Sequence, residues 1–433
     1  MTVLKSSSDT LVFVVVPRRS IAVEMMSNLR TVARRTGVFL DLADSQNVLT
    51  KGKGKAIRVV TAPVLLTAIS QWNPKTQLSG LDLVICESLE QLDSAYELGV
   101  SLLRHFTQTS PTRYVGFSNS LNDPADLSAW LNVDPYSLHS FRPSDRDQAL
   151  TFTTQTFTIP QSSALLKSMA KPAHAAIQAA GPGESAIIFV PSRNQCRAVA
   201  LDLITQCSLE TETDKGYLSP GFREDVLEDY LVRLQDQTLV DFASRGVGFF
   251  HDGVRKPDRN LMLELYAEGI IRVLVVPRDA CWTLPVRAGV VVVMGTQYFY
   301  AEKEGSELQL RDYDLAELIR MQGRAIRHSG VGHFNLFCQA EARDTFTRFL
   351  NEGLPLESRL LETRDLELWY REQRLKGAIS DQQEGVEALS NTFLARRIVS
   401  NPVYYDASSV SLDENLSRIV DKLESLVNQD LLV

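Results

Sequence analysis

At 433 residues the chain is roughly two to three times a usual domain length, so several hydrophobic cores are expected. Its 45 Lys+Arg against 53 Asp+Glu leave a net charge of −8, which excludes a uniform basic field for gripping phosphate backbones. With 44% hydrophobic and 23% charged residues, disorder as the main state is excluded as well.

In chain order, residues 11–16, 57–60, 83–86 and 114–117 are short, unbroken apolar runs rich in β-branched side chains. They predict four buried parallel strands in the first half, with a helical spacing over 19–35 between the first two. The pattern breaks near residues 140–143, and a second series begins after the Gly181-Pro-Gly183 turn. It places strands at 186–190, 271–276, 290–294 and 334–338, and helices over 193–206, 257–267 and 315–322. Alternating β and α segments imply two doubly wound parallel sheets, an α/β fold. From about Leu356 the strand runs vanish, and helical patterns over 386–400 and 415–426 flank Asn401-Pro402. The expected domains are therefore residues 1–150, 151–355 and a helix-rich 356–433.

Cys86, Cys196, Cys207, Cys281 and Cys338 form no C-x-x-C pair, so neither a zinc site nor a disulfide framework is indicated and a reducing compartment fits. No apolar run reaches the roughly 18 residues of a membrane span, and residues 1–9 lack a signal peptide's apolar region, so neither secretion nor membrane embedding is expected. Two tandem parallel sheets direct the search to a phosphate cradle, G-x-x-x-x-G-K-[ST], and the chain contains none. Lys51-Gly-Lys-Gly-Lys55 has the wrong spacing, lacks the hydroxyl that holds magnesium, and reads as a solvated loop.

Several phrases nevertheless follow one another in a recognisable order. They are Val14-Val-Val-Pro17 with Arg18-Arg19, Thr61-Ala-Pro63, Phe250-His-Asp-Gly253, Arg259, and Glu264 through the Gly269-Ile-Ile-Arg-Val-Leu-Val275 run. Cys281-Trp282, Leu284-Pro285, Gly295-Thr-Gln297, Gln322-Gly-Arg-Ala-Ile-Arg327 and Leu354-Pro-Leu-Glu-Ser358 come next. In this the chain resembles superfamily-2 helicases of the DExH type, specifically the Ski-like group. The resemblance implies two RecA-like domains followed by a winged helix, and in working members an ATP-driven RNA helicase.

The departures from the working pattern carry the functional expectation. At the D-E-x-H position the chain reads Cys86-Glu87-Ser88-Leu89, so a thiol replaces the magnesium-binding Asp and an apolar side chain the coupling His. A thiol prefers softer metals, and Leu89 cannot donate the hydrogen bond linking this loop to the S-A-T loop, here Ser118-Asn119-Ser120. No catalytic set is intact, no functional magnesium site is expected, and hydrolysis at this position should be abolished or nearly so. Binding of ATP or ADP is expected only if a phosphate loop lies upstream of Met1. The segment from Pro277 to Pro285, at motif V, is two residues shorter than in working members. In motif VI, Arg320 replaces a Gln and Ile326 a Gly, while Arg324 and Arg327 stay in register as candidates to reach a phosphate. The competing reading makes them helix-surface arginines paired with a carboxylate such as Asp314 or Glu317.

The resemblance also makes Thr61, Pro63, Trp282 and Thr296 RNA-facing remnants. Against that, Trp282 and the Tyr298-Phe-Tyr300 cluster are read as core or partner surface more readily than as base-stacking groups. His251 reads as loop packing rather than as a base, and His328 and His333 have no thiol neighbour for a metal.

Ser168-Met-Ala-Lys-Pro172, Ile188-Phe-Val-Pro-Ser-Arg-Asn-Gln195, Thr296-Gln-Tyr298, Phe393-Leu-Ala-Arg-Arg397 and Asn401-Pro402 are similar to the C-terminal, inactive cassette of spliceosomal two-cassette members. That similarity implies a degenerate cassette serving as intramolecular regulator and protein-interaction platform in pre-mRNA splicing, in the nucleus. Its expected partners are the N-terminal helicase cassette of the same protein and spliceosomal scaffold and splicing proteins, with RNA contacted weakly or indirectly and no membrane. A helical ratchet domain is expected beyond Val433. The alternatives are an active RNA helicase of the same group, and an RNA-binding winged-helix module using basic pairs such as Arg18-Arg19, Arg34-Arg35 and Arg396-Arg397. The related helicases of RNA quality control and alkylation repair rank lower, because working motifs are expected in both of their cassettes.

Overall fold

A computed structural model describes residues 10–49, 54–71, 80–211, 216–301, 306–327, 330–407, 409 and 411–430. Most of the Lys51–Lys55 turn, and His328, lie outside the described residues. The chain packs as two compact units, residues 1–141 together with 353–433, and residues 142–352.

The first unit is built on β1 (Thr10–Val16), α1 (Arg19–Thr36), β2 (Phe39–Leu42), β3 (Lys55–Thr61), α2 (Ala62–Ser70), β4 (Leu83–Cys86), α3 (Ser94–Phe106), β5 (Arg113–Gly116) and α4 (Ala125–Trp130). The strands form one parallel sheet ordered β2-β3-β1-β4-β5. All seven residues of β1 are buried, as its unbroken Leu-Val-Phe-Val-Val-Val run requires of a central strand with helices on both faces. Each such Val contributes roughly 1.5–3 kcal/mol by leaving water. Helix α1 stops where Gly37 turns left-handed, φ 65°, and returns its N–H to the Ala33 carbonyl.

The second unit contains β6 (Leu150–Phe157), α5 (Ser163–Ala179), β7 (Ala186–Val190), α6 (Arg193–Thr211), α7 (Glu224–Arg233), α8 (Gln237–Ala243), β8 (Val247–Phe249), α9 (Lys256–Ala267), β9 (Val273–Pro277), β10 (Val290–Met294), β11 (Gln297–Tyr300), β12 (Gln309–Asp312), α10 (Leu315–Gly323), β13 (Gly332–Gln339) and α11 (Arg343–Glu352). Six strands make a parallel sheet ordered β6-β13-β10-β7-β9-β8, and β11 and β12 pair as a separate antiparallel hairpin. The central strands β7, β9 and β10 are buried along their whole length.

The closing segment is four helices, α12 (Asp365–Leu375), α13 (Gln382–Ser390), α14 (Phe393–Ser400) and α15 (Leu412–Asp430). Their core of Leu360, Leu366, Trp369, Tyr370, Leu389, Leu394, Ile398, Leu416 and Val420 also takes in Leu98 of α3. The helical pattern expected over 386–400 is thus two helices, split where Thr392 caps α14 by accepting from the Ala395 N–H. Among the described residues this segment has no strand of its own. Its only bridge pairs Leu354 with Leu121. No described helix is long and apolar enough to cross a membrane.

Candidate functional site: loops at the strand ends

Strand β4 ends at Cys86, which lies in register with Val15 of β1 and Gly116 of β5. The Cys86 side chain is fully buried, and burial pushes its thiol up to about 12, with Arg104 only partly opposing the shift. A thiol held protonated at neutral pH offers no thiolate to any cation, hard or soft, so the softer-metal chemistry read from sequence does not arise here. Among the described residues no cluster of three or more His, Cys, Asp or Glu could hold a metal ion. The residues at this position therefore do not fit the magnesium ion the fold family uses.

Beyond Cys86 the backbone is held by the end of β1 and one tyrosine. The Glu87 N–H donates to the Val15 carbonyl at 2.9 Å, and the Tyr96 hydroxyl donates to the carbonyls of Val15 and Glu87, both at 2.9 Å. Ser88 takes a left-handed backbone, φ 57°, and turns the chain into a single 3₁₀ turn, Leu89–Gln91. That turn drops the Leu89 side chain into the core, 1% exposed, against Gly116. A Cβ at residue 116 would lie 2.7 Å from Leu89 Cδ1 and 2.9 Å from Leu131 Cδ1, so the glycine is what admits the leucine.

The link that Leu89 cannot make is made by its neighbour, which the sequence reading passed over. Glu90 Oε2 accepts from the Asn119 backbone N–H at 3.1 Å and from the Ser118 hydroxyl at 3.4 Å, while Glu90 Oε1 accepts from the Asn119 amide at 2.9 Å. The Leu89 N–H adds a 3.0 Å bond to the Phe117 carbonyl. A carboxylate one residue later thus ties the two loops. Ser120 is tied in turn to the closing segment, its carbonyl accepting from the Leu354 N–H at 2.8 Å.

In the second unit the motif V turn is a 3₁₀ helix, Arg278–Trp282, packed against α10. Arg278 pairs with the buried Glu317 and lies 3.8 Å over the ring of Tyr298, with Tyr313 at 5.8 Å. Burial opposes the Arg278 charge, and the Glu317 carboxylate outweighs it, holding the guanidinium protonated. Arg324 donates to the Cys281 carbonyl at 3.2 Å, Arg320 lies 5.9 Å from the Trp282 ring, and Arg327 forms a 2.6 Å ion pair with Glu184. Of the two arginines kept in register from motif VI, Arg324 thus donates to the Cys281 carbonyl and Arg327 pairs with Glu184.

The RNA-facing candidates separate into two groups. Trp282 is 7% exposed and Thr296 is fully buried, so neither side chain is presented to a base. Thr61 is half-buried at the end of β3, and Pro63 is exposed in the first turn of α2. In the aromatic cluster only Phe299 is largely exposed. His251 Nδ1 accepts from the Gly253 N–H at 3.1 Å, and burial together with Arg193 holds the ring below its ordinary value, as befits a packed loop.

The basic pairs divide as well. Arg34 and Arg35 are exposed in the last turn of α1, where they meet the negative end of the helix dipole. Arg397 is buried and forked onto Glu357 at 2.6 and 2.9 Å, with Asp126 at 2.6 Å and Asp123 at 3.3 Å, so it belongs to no basic surface.

Two parallel nucleotide-binding-type sheets with family-ordered loops at their strand ends, followed by a helical segment, define a DExH-type helicase cassette in architecture. In sequence, too, the chain is similar to DExH-type helicases over most of its length. It is 30% identical over 404 residues, 90% of its length, to the human "U5 small nuclear ribonucleoprotein 200 kDa helicase". It is 30% identical over 406 residues, 91% of its length, to the Arabidopsis thaliana "DExH-box ATP-dependent RNA helicase DExH12". To the Saccharomyces cerevisiae "RQC trigger complex helicase SLH1" it is 32% identical over 385 residues, 85% of its length. The chain spans 18–19% of the length of these curated relatives. No protein-family model matches it.

Proposed function

We propose that this chain is a degenerate helicase cassette acting as an intramolecular regulator and protein-interaction platform of an RNA helicase in pre-mRNA splicing, in the nucleus. Its partners under this reading are the catalytic cassette of the same protein and splicing proteins, with RNA touched weakly or indirectly. The observation that carries the reading is Cys86: a fully buried, protonated thiol stands where a magnesium-binding carboxylate is required. Arg324 and Arg327 support it, since both are engaged by groups of their own unit. The alternative of an RNA-binding winged-helix module is weakened by Arg397, which is enclosed by three carboxylates.

Splicing is favoured over quality control by the phrases quoted above, although the identities to both kinds of relative are alike at 30% and 32%. The test is RNA-stimulated ATP turnover by the complete cassette, beside a Cys86→Asp/Leu89→His variant, with nucleotide binding scored separately. No turnover by the natural cassette is expected. Turnover on the order of 1 per second or faster would make this a second motor and end the platform reading.

A further inference from the structure

Helices α3, α12 and α13 of the first unit line a cavity of about 300 Å³, at the lower end of the range for small-molecule sites. Leu98, Phe106, Trp369 and Ile379 line it as buried side chains, none more than 6% exposed. Three polar side chains are buried with them, and each has a partner. Ser101 accepts from the Trp130 indole at 3.0 Å, Thr392 donates to the Leu389 carbonyl at 2.6 Å, and Gln373 donates to the Ser70 carbonyl at 3.4 Å. The indole N–H of Trp369 has no acceptor among the described residues. A donor left unmet in apolar surroundings is destabilising, so this lining calls for an acceptor.

The charged groups of the lining are the ones that solvent reaches. Glu384 and Glu387 stand three residues apart on α13, both exposed, and His105 is half-buried. Glu384 accepts from the Ser380 N–H and hydroxyl at 2.7 and 2.8 Å, whereas the Glu387 carboxylate has no partner among the described residues. No lysine or arginine lines the cavity. Burial therefore orders the chemistry: apolar groups and one unmet donor inside, negative charge at the mouth. An anion would be repelled at that mouth, and a hydrocarbon would leave Trp369 unmet. A lysine or arginine side chain of a protein would enter head first, carrying its charge into the apolar interior and leaving the carboxylates against a neutral stem.

We infer that this cavity binds a small free organic cation: an ammonium or guanidinium joined through an apolar body to a carbonyl oxygen, the oxygen accepting from the Trp369 indole N–H and the cation resting beside Glu387. At roughly 30 Å³ for a water molecule, the volume admits about ten groups of that size. The site does not rest on the platform reading, since none of its lining residues belongs to the loops at the strand ends.

The experiment titrates 4-acetylbenzylamine into the full chain labelled with ¹⁵N-tryptophan and follows the indole N–H resonances, that of Trp369 being assigned by its loss in Trp369→Phe. The Trp369 resonance is expected to move downfield and saturate with a Kd on the order of 1 mM. Benzylamine, which lacks the acceptor, 4-acetylbenzoate, which reverses the charge, and Nα-acetyl-lysine methylamide, which stands for a protein side chain, should each bind about fivefold or more weakly. Glu387→Lys should weaken 4-acetylbenzylamine by about tenfold, and because the position is exposed an unaltered melting curve will report intact folding. A Trp369 resonance that stays in place, undiminished affinity for any of the three comparison compounds, or equal affinity of the Glu387→Lys chain would each overturn the assignment.

Discussion

Glu90 and Asn119 are joined by two hydrogen bonds, from the Asn119 backbone N–H at 3.1 Å and from its side-chain amide at 2.9 Å. The loop after β4 and the loop after β5 are thus clamped by the Glu90 side chain. Glu90→Ala should cost about 1–2 kcal/mol, because it removes a charge-assisted pair at a partly exposed site. It should also speed amide exchange at Asn119 by about tenfold. Unchanged exchange there would show that the backbone bond between Leu89 and Phe117 suffices alone.

Arg397→Ala should destabilise the first unit by about 3 kcal/mol, since it strands Glu357 and Asp126 without their shared cation. Urea unfolding followed by tryptophan fluorescence reads this. Arg397→Lys should recover only part of the loss, because an ammonium cannot fork onto Glu357.

Glu97 is fully buried, and burial pushes its carboxyl from an ordinary 4.5 up to about 7, although the Ser358 hydroxyl and the Leu394 N–H both donate to it. Between those two values the folded chain keeps a proton that the unfolded chain has released. Its stabilising effect is complete below about pH 4.5 and fades as pH rises toward about 7, a change on the order of 3 kcal/mol. Melting temperature followed across that window should show the fall in the natural chain and a flatter profile in Glu97→Gln. Parallel profiles for the two would assign the pH dependence elsewhere.

All five cysteines are free and buried, with burial raising the thiols of Cys86, Cys196, Cys281 and Cys338. Ellman's reagent near pH 8 should therefore find no rapidly reacting thiol in the native chain and five after denaturation in guanidinium. A fast native thiol mapped to Cys86 by mass spectrometry would contradict the enclosed site described above.

The central strands were readable because their sequences are apolar without interruption, and in β7, β9 and β10 every residue is buried. Residues 83–86 and 290–294 stand in the structure as β4 and β10. Edge strands were not readable. Leu150–Phe157 runs Leu-Thr-Phe-Thr-Thr-Gln-Thr-Phe, half exposed, and Phe39–Leu42 has one neighbour only, so the first sheet has five strands where four were expected. The departures from the D-E-x-H pattern at Cys86 and Leu89 were legible because a single residue type decides each. The clamp at Glu90 was not, since the functional pattern ends one residue before it. The enclosure of Arg397 depends on contacts reaching back 271 residues to Asp126, which no local spacing encodes.

Tyr96 and Glu97 are consecutive residues of α3 with opposite attachments. The tyrosine holds the backbone at Val15 and Glu87, and the glutamate takes hydrogen bonds from Ser358 and Leu394 of the closing segment. A pull applied to those helices is thus delivered to the ends of β1 and β4 across a single peptide unit.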